Sequence, residues 1–462
     1  MRKLSLMDLA FFVAESEDSP KHVAGLLLCK KPAKSPSNYA KKLLESLWDS
    51  NIAEPFDQVI NFFGPLGPHW ETCQDFSFDN HIFYHRASKV ISWDEAREKV
   101  AELHEPMLDR SRPLWEFHLI DGVRGGKFVL YLKLHHAYAD GMTMTSWMDK
   151  GLSQSPDDLV FTPPWDVNKK SRPAKKMGPP RPSSILGGLA GLAKQQLRSA
   201  GGILKLSAQQ AIERAGLTRD SVSLMFSTPR DTPLTGSARP GRTVATADVP
   251  MKHIYDLCDA TCSTLNHVAL ACIDGAIHGY LADRGIVLDH PISIQMPVNL
   301  RNGDSGQGGN RIGITLVDLA QPGLNPYRRL REIGFKLQSV KYQVAGIPAV
   351  AFEQFTFLAG GLSEAINKLQ LTDVLPSNGH AVVSNVPGPE TSRYLVGSKV
   401  EHMYPISTLS PGLRLNITMF SYNGSLQFGL VGTRNLEDLQ SLADRIVVEF
   451  NELESSVAHR RR

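Results

Sequence analysis

His135-His136-Ala137-Tyr138-Ala139-Asp140-Gly141 is the stretch on which the reading of this chain turns. It follows Phe128-Val129-Leu130-Tyr131-Leu132-Lys133-Leu134, an apolar run of strand length. Side chains alternate along a strand, so Phe128, Leu130, Leu132, Leu134 and then His136 share one face. Val129, Tyr131, Lys133 and His135 share the other. An imidazole that ends an apolar face points to the interior. Asp140-Gly141 breaks the strand, and Met142 to Leu152 reads as a helix. The motif therefore occupies a strand-turn-helix corner.

Histidine takes up and returns a proton near neutral pH. No serine or cysteine stands beside His136 to be activated as a nucleophile. The direct chemistry has His136 deprotonate a hydroxyl, which attacks an acyl carbonyl; the imidazolium then returns the proton to the leaving group. Two adjacent histidines at a strand end also suit a metal site or a satisfied core pair. Asp140 has two readings. It can orient the imidazole, or it can turn away, pair with an arginine and hold the corner rigid.

Further stretches narrow the field. Upstream stand Leu4-Ser5, Asp8, Phe11, His22-Val23-Ala24-Gly25 and Arg112-Pro113-Leu114-Trp115-Glu116. Downstream stand Asn266-His267-Val268-Ala269, Pro297-Val298-Asn299-Leu300-Arg301, Gly309-Asn310 and Ser384-Asn385-Val386-Pro387-Gly388-Pro389. In this order, with the HHxxxDG spacing of His135 to Gly141, the set resembles the bacterial wax ester synthase/diacylglycerol acyltransferase family over nearly the whole chain. HHxxxDG alone is shared with peptide-synthetase condensation domains; the PLW, PVNLR and SNVPGP stretches separate the two. One position departs. The family usually has Asn-Asp where this chain has Asn266-His267, so only Asn266 carries over.

The resemblance implies an α/β fold with mixed sheets: two chloramphenicol-acetyltransferase-like domains joined by a long linker, with a channel between them. It implies transfer of an acyl group from acyl-CoA to a long-chain alcohol or diacylglycerol, giving wax ester or triacylglycerol. His136 is then the general base, His135 shapes the site, and Asp140 and Gly141 hold the turn. Asn266, in the first turn of a helix, would place an amide where an oxyanion or hydroxyl is held, or serve only as a local cap. Arg301 is the candidate partner for Asp140, with a solvent-facing arginine as the alternative. Ser384 and Asn385 are candidates for the channel wall. No metal or redox cofactor is called for, since CoA arrives as part of the substrate. Two rivals stand beside this reading: a condensation-type enzyme using a carrier-bound acyl group, and a non-catalytic lipid-surface protein of the same fold.

Composition sets the bounds. At 462 residues the chain is expected to form two or more domains. Its 42% hydrophobic and 21% charged residues describe a globular protein, and a net charge of +3 gives no argument for nucleic acid. Cys29, Cys73, Cys258, Cys262 and Cys272 show no CxxC spacing, which suits a reducing compartment. No secretory leader or spanning helix is read. The expectation is a cytoplasmic enzyme, with peripheral contact to the inner membrane or lipid inclusions as an open reading.

Along the chain the first acyltransferase domain is expected over 1–160, a basic Pro-rich linker with an amphipathic stretch over 161–237, and a second acyltransferase-like domain over 238–462. No acidic residue occurs from Val167 to Ile212, where Lys169, Lys170, Arg172, Lys175, Lys176 and Arg181 precede Leu186, Leu189, Ala193 and Leu197 at helical spacing. That pattern fits either a lipid surface or a helix packed across the two halves. Ser5 to Asp8 resembles a capping box. Asp121 to Gly126 and Tyr422-Asn423-Gly424 are hairpin turns.

Overall fold

The computed structural model describes residues 2–63, 67–167, 226–299, 312–345 and 348–460. The first half runs β1 (Arg2–Lys3), α1 (Leu6–Ala14), β2 (His22–Lys30), α2 (Tyr39–Glu45), β3 (Gln58–Asn61), β4 (His69–Thr72), β5 (Ile82–Ile91), α3 (Trp93–His104), β6 (Trp115–Val123), β7 (Lys127–His135) and α4 (Gly141–Gly151). The second half runs β8 (Arg242–Pro250), α5 (Met251–Thr261), α6 (Leu265–Ala282), β9 (Ser293–Asn299), β10 (Ile312–Asp318), α7 (Pro326–Ala345), α8 (Ala349–Lys368), β11 (Ala381–Val386), β12 (Arg393–Leu395), β13 (Ser398–Ile406), β14 (Leu415–Tyr422), β15 (Ser425–Thr433) and α9 (Leu439–Arg460).

Two six-stranded mixed sheets form the frame, ordered β12-β13-β2-β7-β6-β5 and β10-β9-β11-β14-β15-β8, with a small β1-β4-β3 sheet beside the first. This agrees with the mixed α/β expectation. β7 is buried on both faces, as its apolar run requires: Phe128, Leu130, Leu132 and Leu134 enter one core, Val129 and Tyr131 another. Lys133 is tolerated in that second face because its ammonium donates to the carbonyls of Leu103 (3.0 Å) and Pro106 (2.7 Å). Ser5 and Asp8 form the expected capping box at the start of α1, satisfying two of that helix's free N–H groups.

The structure corrects the domain boundaries. Residues 393–406 do not stay with the second half. β13 pairs antiparallel with β2, Ala24 opposite Ile406, and β12 pairs with β13, so the first sheet is completed by late sequence. Nor does the first domain stop at 160. Trp165 is fully buried, stacked on Trp115 at 4.8 Å, and its indole donates to Ser50 Oγ at 2.8 Å. At the other end of the expected linker, Leu234 lies in the second core. The basic tract and its amphipathic stretch lie outside the described residues.

The two sheets meet where β13 lies against β15. A Cβ placed on Gly429 would sit 1.8 Å from the Pro405 carbonyl oxygen, so only glycine allows the contact. Gly429→Ala is expected to cost about 3 kcal/mol or more, because backbone must move to relieve the overlap. A denaturant midpoint unchanged from wild type would show that the sheets can slide apart there at no cost.

Candidate active site

A cavity of about 490 Å³ opens between the two sheets, within the range of small-molecule sites. The first half contributes Val23 to Gly25 of β2, Phe11 of α1 and Met144, Thr145 and Met148 of α4. β13 and the turn after it contribute Met403 to Thr408. From the second sheet come Pro297, Ile314, Val382 and Ser384. On β14 the strand period divides the labour: Asn416, Thr418 and Phe420 face the cavity, while Leu415, Ile417 and Met419 enter the second core.

His136 lies one residue beyond β7, half-buried in the cavity wall. Its amide donates to the Lys21 carbonyl at 2.8 Å, and its ring stacks on Phe11 at 4.3 Å and 13°. Burial pushes the imidazole pKa below its ordinary value, opposed by a hydrogen bond to its own backbone and by the Asp140 carboxylate nearby. The ring is thus held flat against an aromatic wall and kept in the neutral, proton-accepting form at neutral pH.

Asp140 caps α4. Its carboxylate accepts from the Thr143 amide at 2.9 Å and the Thr143 hydroxyl at 2.6 Å. The helix accordingly starts at Gly141, one residue earlier than its sequence suggests. Arg301, the proposed partner of Asp140, lies outside the described residues. Gly141 lines the cavity, and a Cβ there would meet Val386 Cγ2 at 3.0 Å. The missing side chain lets α4 of the first half approach the end of β11 in the second.

His135 is fully buried and faces away from the cavity. Its Nδ1 accepts the Ala137 amide at 3.1 Å, so in the neutral ring the proton sits on Nε2. That nitrogen faces Glu15 Oε2 at 3.6 Å, and the ring stacks on Phe12 at 4.3 Å. Glu15 also accepts from the Lys21 amide at 3.0 Å and from Arg110 at 2.9 and 3.1 Å. Burial alone would raise the Glu15 pKa, but His135, the Lys21 amide and Arg110 together hold it down at about 2. His135 is therefore a positioning residue, pinned by a buried carboxylate that also fixes the Lys21 backbone supporting His136.

Ser384 and Asn385 line the cavity. Ser384 Oγ lies 2.9 Å from Thr418 Oγ1, Thr418 donates to Asn416 Oδ1 at 3.0 Å, and Asn416 donates to the Thr408 carbonyl at 2.7 Å. Together they make a polar strip on an otherwise apolar wall. Asn385 Nδ2 donates to Asn266 Oδ1 at 2.8 Å. Asn266 itself is not in the cavity wall; it sits exposed in the first turn of α6, where Thr264, not Asn266, caps the helix. Asn266 thus reaches the site through Asn385. His267, where the family usually has Asp, lies beside Gly334 of α7: a Cβ on that glycine would be 3.4 Å from His267 Nδ1.

Glu15, Lys21 and the Met403–Thr408 wall carry no local signal that ties them to the motif. The short spacing from Phe11 to Glu15 and the His22-Val23-Ala24-Gly25 stretch marked the right neighbourhood without naming these contacts. Away from the cavity wall, Asp231, His290 and His380 bring ligand atoms within 4.8 Å of one another. His380 Nδ1 accepts the Ser293 amide at 2.9 Å, which leaves its Nε2 protonated in the neutral ring. A cation there would face an N–H, so this cluster does not suit a metal.

The catalytic-domain model of the wax ester synthase/diacylglycerol acyltransferase family matches residues 4–269, and the C-terminal-domain model matches residues 308–454. The chain is 29% identical over 462 residues to a probable diacylglycerol O-acyltransferase, Tgs4, of Mycobacterium tuberculosis, covering 98% of this chain and 97% of that one. It is 28% identical to the O-acyltransferase WSD of Acinetobacter baylyi, covering 99% and 98%. Among solved structures, a wax ester synthase/diacylglycerol acyltransferase from Marinobacter aquaeolei VT8 superposes with a TM-score of 0.72 at 26% identity, covering 99% of this chain and 100% of that one. The first condensation domain of the calcium-dependent antibiotic synthetase shares the fold, with a TM-score of 0.60 at 16% identity, covering 99% and 97%.

Proposed function

Because the chain belongs to the wax ester synthase/diacylglycerol acyltransferase family, we propose that it is an O-acyltransferase that moves a fatty acyl group from acyl-CoA to a long-chain alcohol or diacylglycerol. The observation that carries this reading is a neutral imidazole, His136, stacked on Phe11 in the wall of an apolar cavity between two sheets. The acceptor hydroxyl gives its proton to His136 as its oxygen attacks the thioester carbonyl. The tetrahedral intermediate collapses with cleavage of the C–S bond, and the imidazolium returns the proton to the CoA thiolate. Donor and acceptor chains lie along the apolar wall. The Asn385–Asn266 pair is the candidate for steadying the carbonyl oxygen, with Asn266 holding Asn385. Asp140 and Gly141 keep the corner rigid; Arg301 remains the candidate partner for Asp140. No metal or redox group is needed in this scheme.

The test is thiol release from palmitoyl-CoA with and without hexadecanol or dioleoylglycerol. Acceptor-dependent release ranks the acceptors. Release only from an acylated carrier protein would replace free acyl-CoA as the donor, and no release from any donor would leave the fold as a non-catalytic lipid-surface protein. The pH profile is expected to follow the burial of His136. Its folded pKa lies below the ordinary 6.5, so the base form persists below that pH. The acid limb of kcat/KM should therefore fall below pH 6.5, and a limb centred above it would argue for another base.

A further inference from the structure

Three hydroxyl groups in the cavity wall have a fixed polarity, set by the groups behind them. The Thr408 carbonyl accepts Asn416 Nδ2 at 2.7 Å, which turns Asn416 Oδ1 toward Thr418. Thr418 gives its one proton to that oxygen at 3.0 Å and has none left for Ser384. The 2.9 Å contact between Ser384 Oγ and Thr418 Oγ1 is therefore a bond that Ser384 donates. The same logic fixes Ser410. The Asn378 carbonyl accepts Gln295 Nε2 at 2.7 Å, so Gln295 Oε1 takes the Ser410 proton at 2.8 Å. Thr408 spends its own proton on the Pro20 carbonyl at 2.7 Å.

Ser384, Thr408 and Ser410 are half-buried and line the cavity, while Asn416, Thr418 and Gln295 are only 2%, 4% and 5% exposed. Each of the three hydroxyls thus offers lone pairs alone to whatever fills the cavity. Lone pairs call for an O–H. A thioester or ester oxygen in the same place would set lone pair against lone pair, and a methylene would leave them unsatisfied. The carbonyl under attack has a separate place: Asn385 Nδ2 gives one proton to Asn266 and keeps the other. The hydroxyls also stand near the base. Lys21, the residue after Pro20, receives the His136 amide, and Val386, two residues beyond Ser384 on β11, lies against Gly141. Two strand residues span roughly 7 Å, so an O–H bonded to Ser384 stands within a few carbon atoms of the reacting oxygen.

We propose that Ser384, Thr408 and Ser410 form a subsite for a second hydroxyl on the acceptor. The class it selects is an alcohol with a vicinal O–H, such as a long-chain 1,2-diol or a monoacylglycerol, over a plain alcohol whose chain carries no second donor. This subsite presupposes the acyl-transfer reading and belongs to the acceptor, not to acyl-CoA.

The experiment compares kcat/KM of the full chain, with palmitoyl-CoA as donor, for hexadecanol, hexadecane-1,2-diol and 2-methoxyhexadecanol. The ether keeps the second oxygen of the diol but not its proton. Wild type is expected to prefer the diol to hexadecanol by about ten-fold, the worth of one hydrogen bond, and to use the ether no better than hexadecanol. In Ser384→Ala/Ser410→Ala the diol preference is expected to fall to about one. If that variant does not fold, Thr408→Val, which keeps the side-chain shape, takes its place with an expected fall of about three-fold. Equal use of diol and hexadecanol by wild type would overturn the proposal and leave acyl transfer standing. A diol preference that survives the substitutions would do the same, as would an ether used as well as the diol, since bulk and not the proton would then be read. No acceptor-dependent release with any of the three alcohols would overturn the acyl-transfer reading and the subsite together.

Discussion

Replacing His136 by alanine is expected to lower acceptor-dependent CoA release by about 10²–10⁴-fold, the usual contribution of a general base. The loss should fall on kcat, because the apolar wall that binds the chains stays in place. Substrate affinity should change little. The fold should survive: the position is half-buried, and its amide bond to the Lys21 carbonyl does not involve the side chain. Release that persists at the wild-type rate in a folded variant would remove His136 from the chemistry. His135→Ala makes the contrast. That ring touches no substrate path; it spans Ala137, Phe12 and Glu15 in the interior. Its loss should lower stability together with rate.

Glu15→Ala is expected to destabilise the protein by about 3–5 kcal/mol, as removal of one partner from a buried ionic cluster does. Arg110 and the Lys21 amide would lose their common acceptor, and His135 Nε2 the carboxylate that faces it at 3.6 Å. The acid side gives a second readout. Folding lowers the Glu15 pKa from 4.5 to about 2. A carboxylate depressed in the native state contributes its full stabilisation above its unfolded pKa and loses it as the pH falls toward the folded value. Between pH 4.5 and 2 wild type should therefore shed about 3 kcal/mol that the variant never had, and the two unfolding midpoints should converge. Curves that stay parallel through that range would show that the cluster does not hold the corner.

The corner itself was legible because its signals are local. A nearly continuous apolar strand, an Asp-Gly break and a following helix lie in one short run, and the structure has each of them, with Asp140 as the cap. The contributions from a distance were not legible in the same way. β12 and β13 join the first sheet across nearly the whole chain, and no local pattern in Ser398–Ile406, which holds Pro405 and Glu401, announces a partner at His22–Lys30. α8 escaped for a different reason. Beyond a first turn that buries Ala351 and Phe352, its leucines face outward and its Thr356 and Glu364 inward, so the pattern that normally locates a core-facing helix is reversed there. Asn266 shows the limit of spacing. Its helix and first turn were readable, but its partner Asn385, and with it the indirect route to the cavity, depends on tertiary contact.

The pairing of β2 with β13 also governs when this enzyme can become itself. β2 leaves the ribosome long before β13, and one of its edges finds its partner only after residue 406 has been made. Until then the apolar strand that carries Val23 to Leu28 has β7 on one side and an open row of amides and carbonyls on the other. Such an edge is a template for the wrong neighbour, and a contact of this sequence separation closes slowly. The cavity wall formed by β2 and β13 is finished at the same moment. A nascent chain therefore carries the histidine motif long before it has a closed place in which to use it.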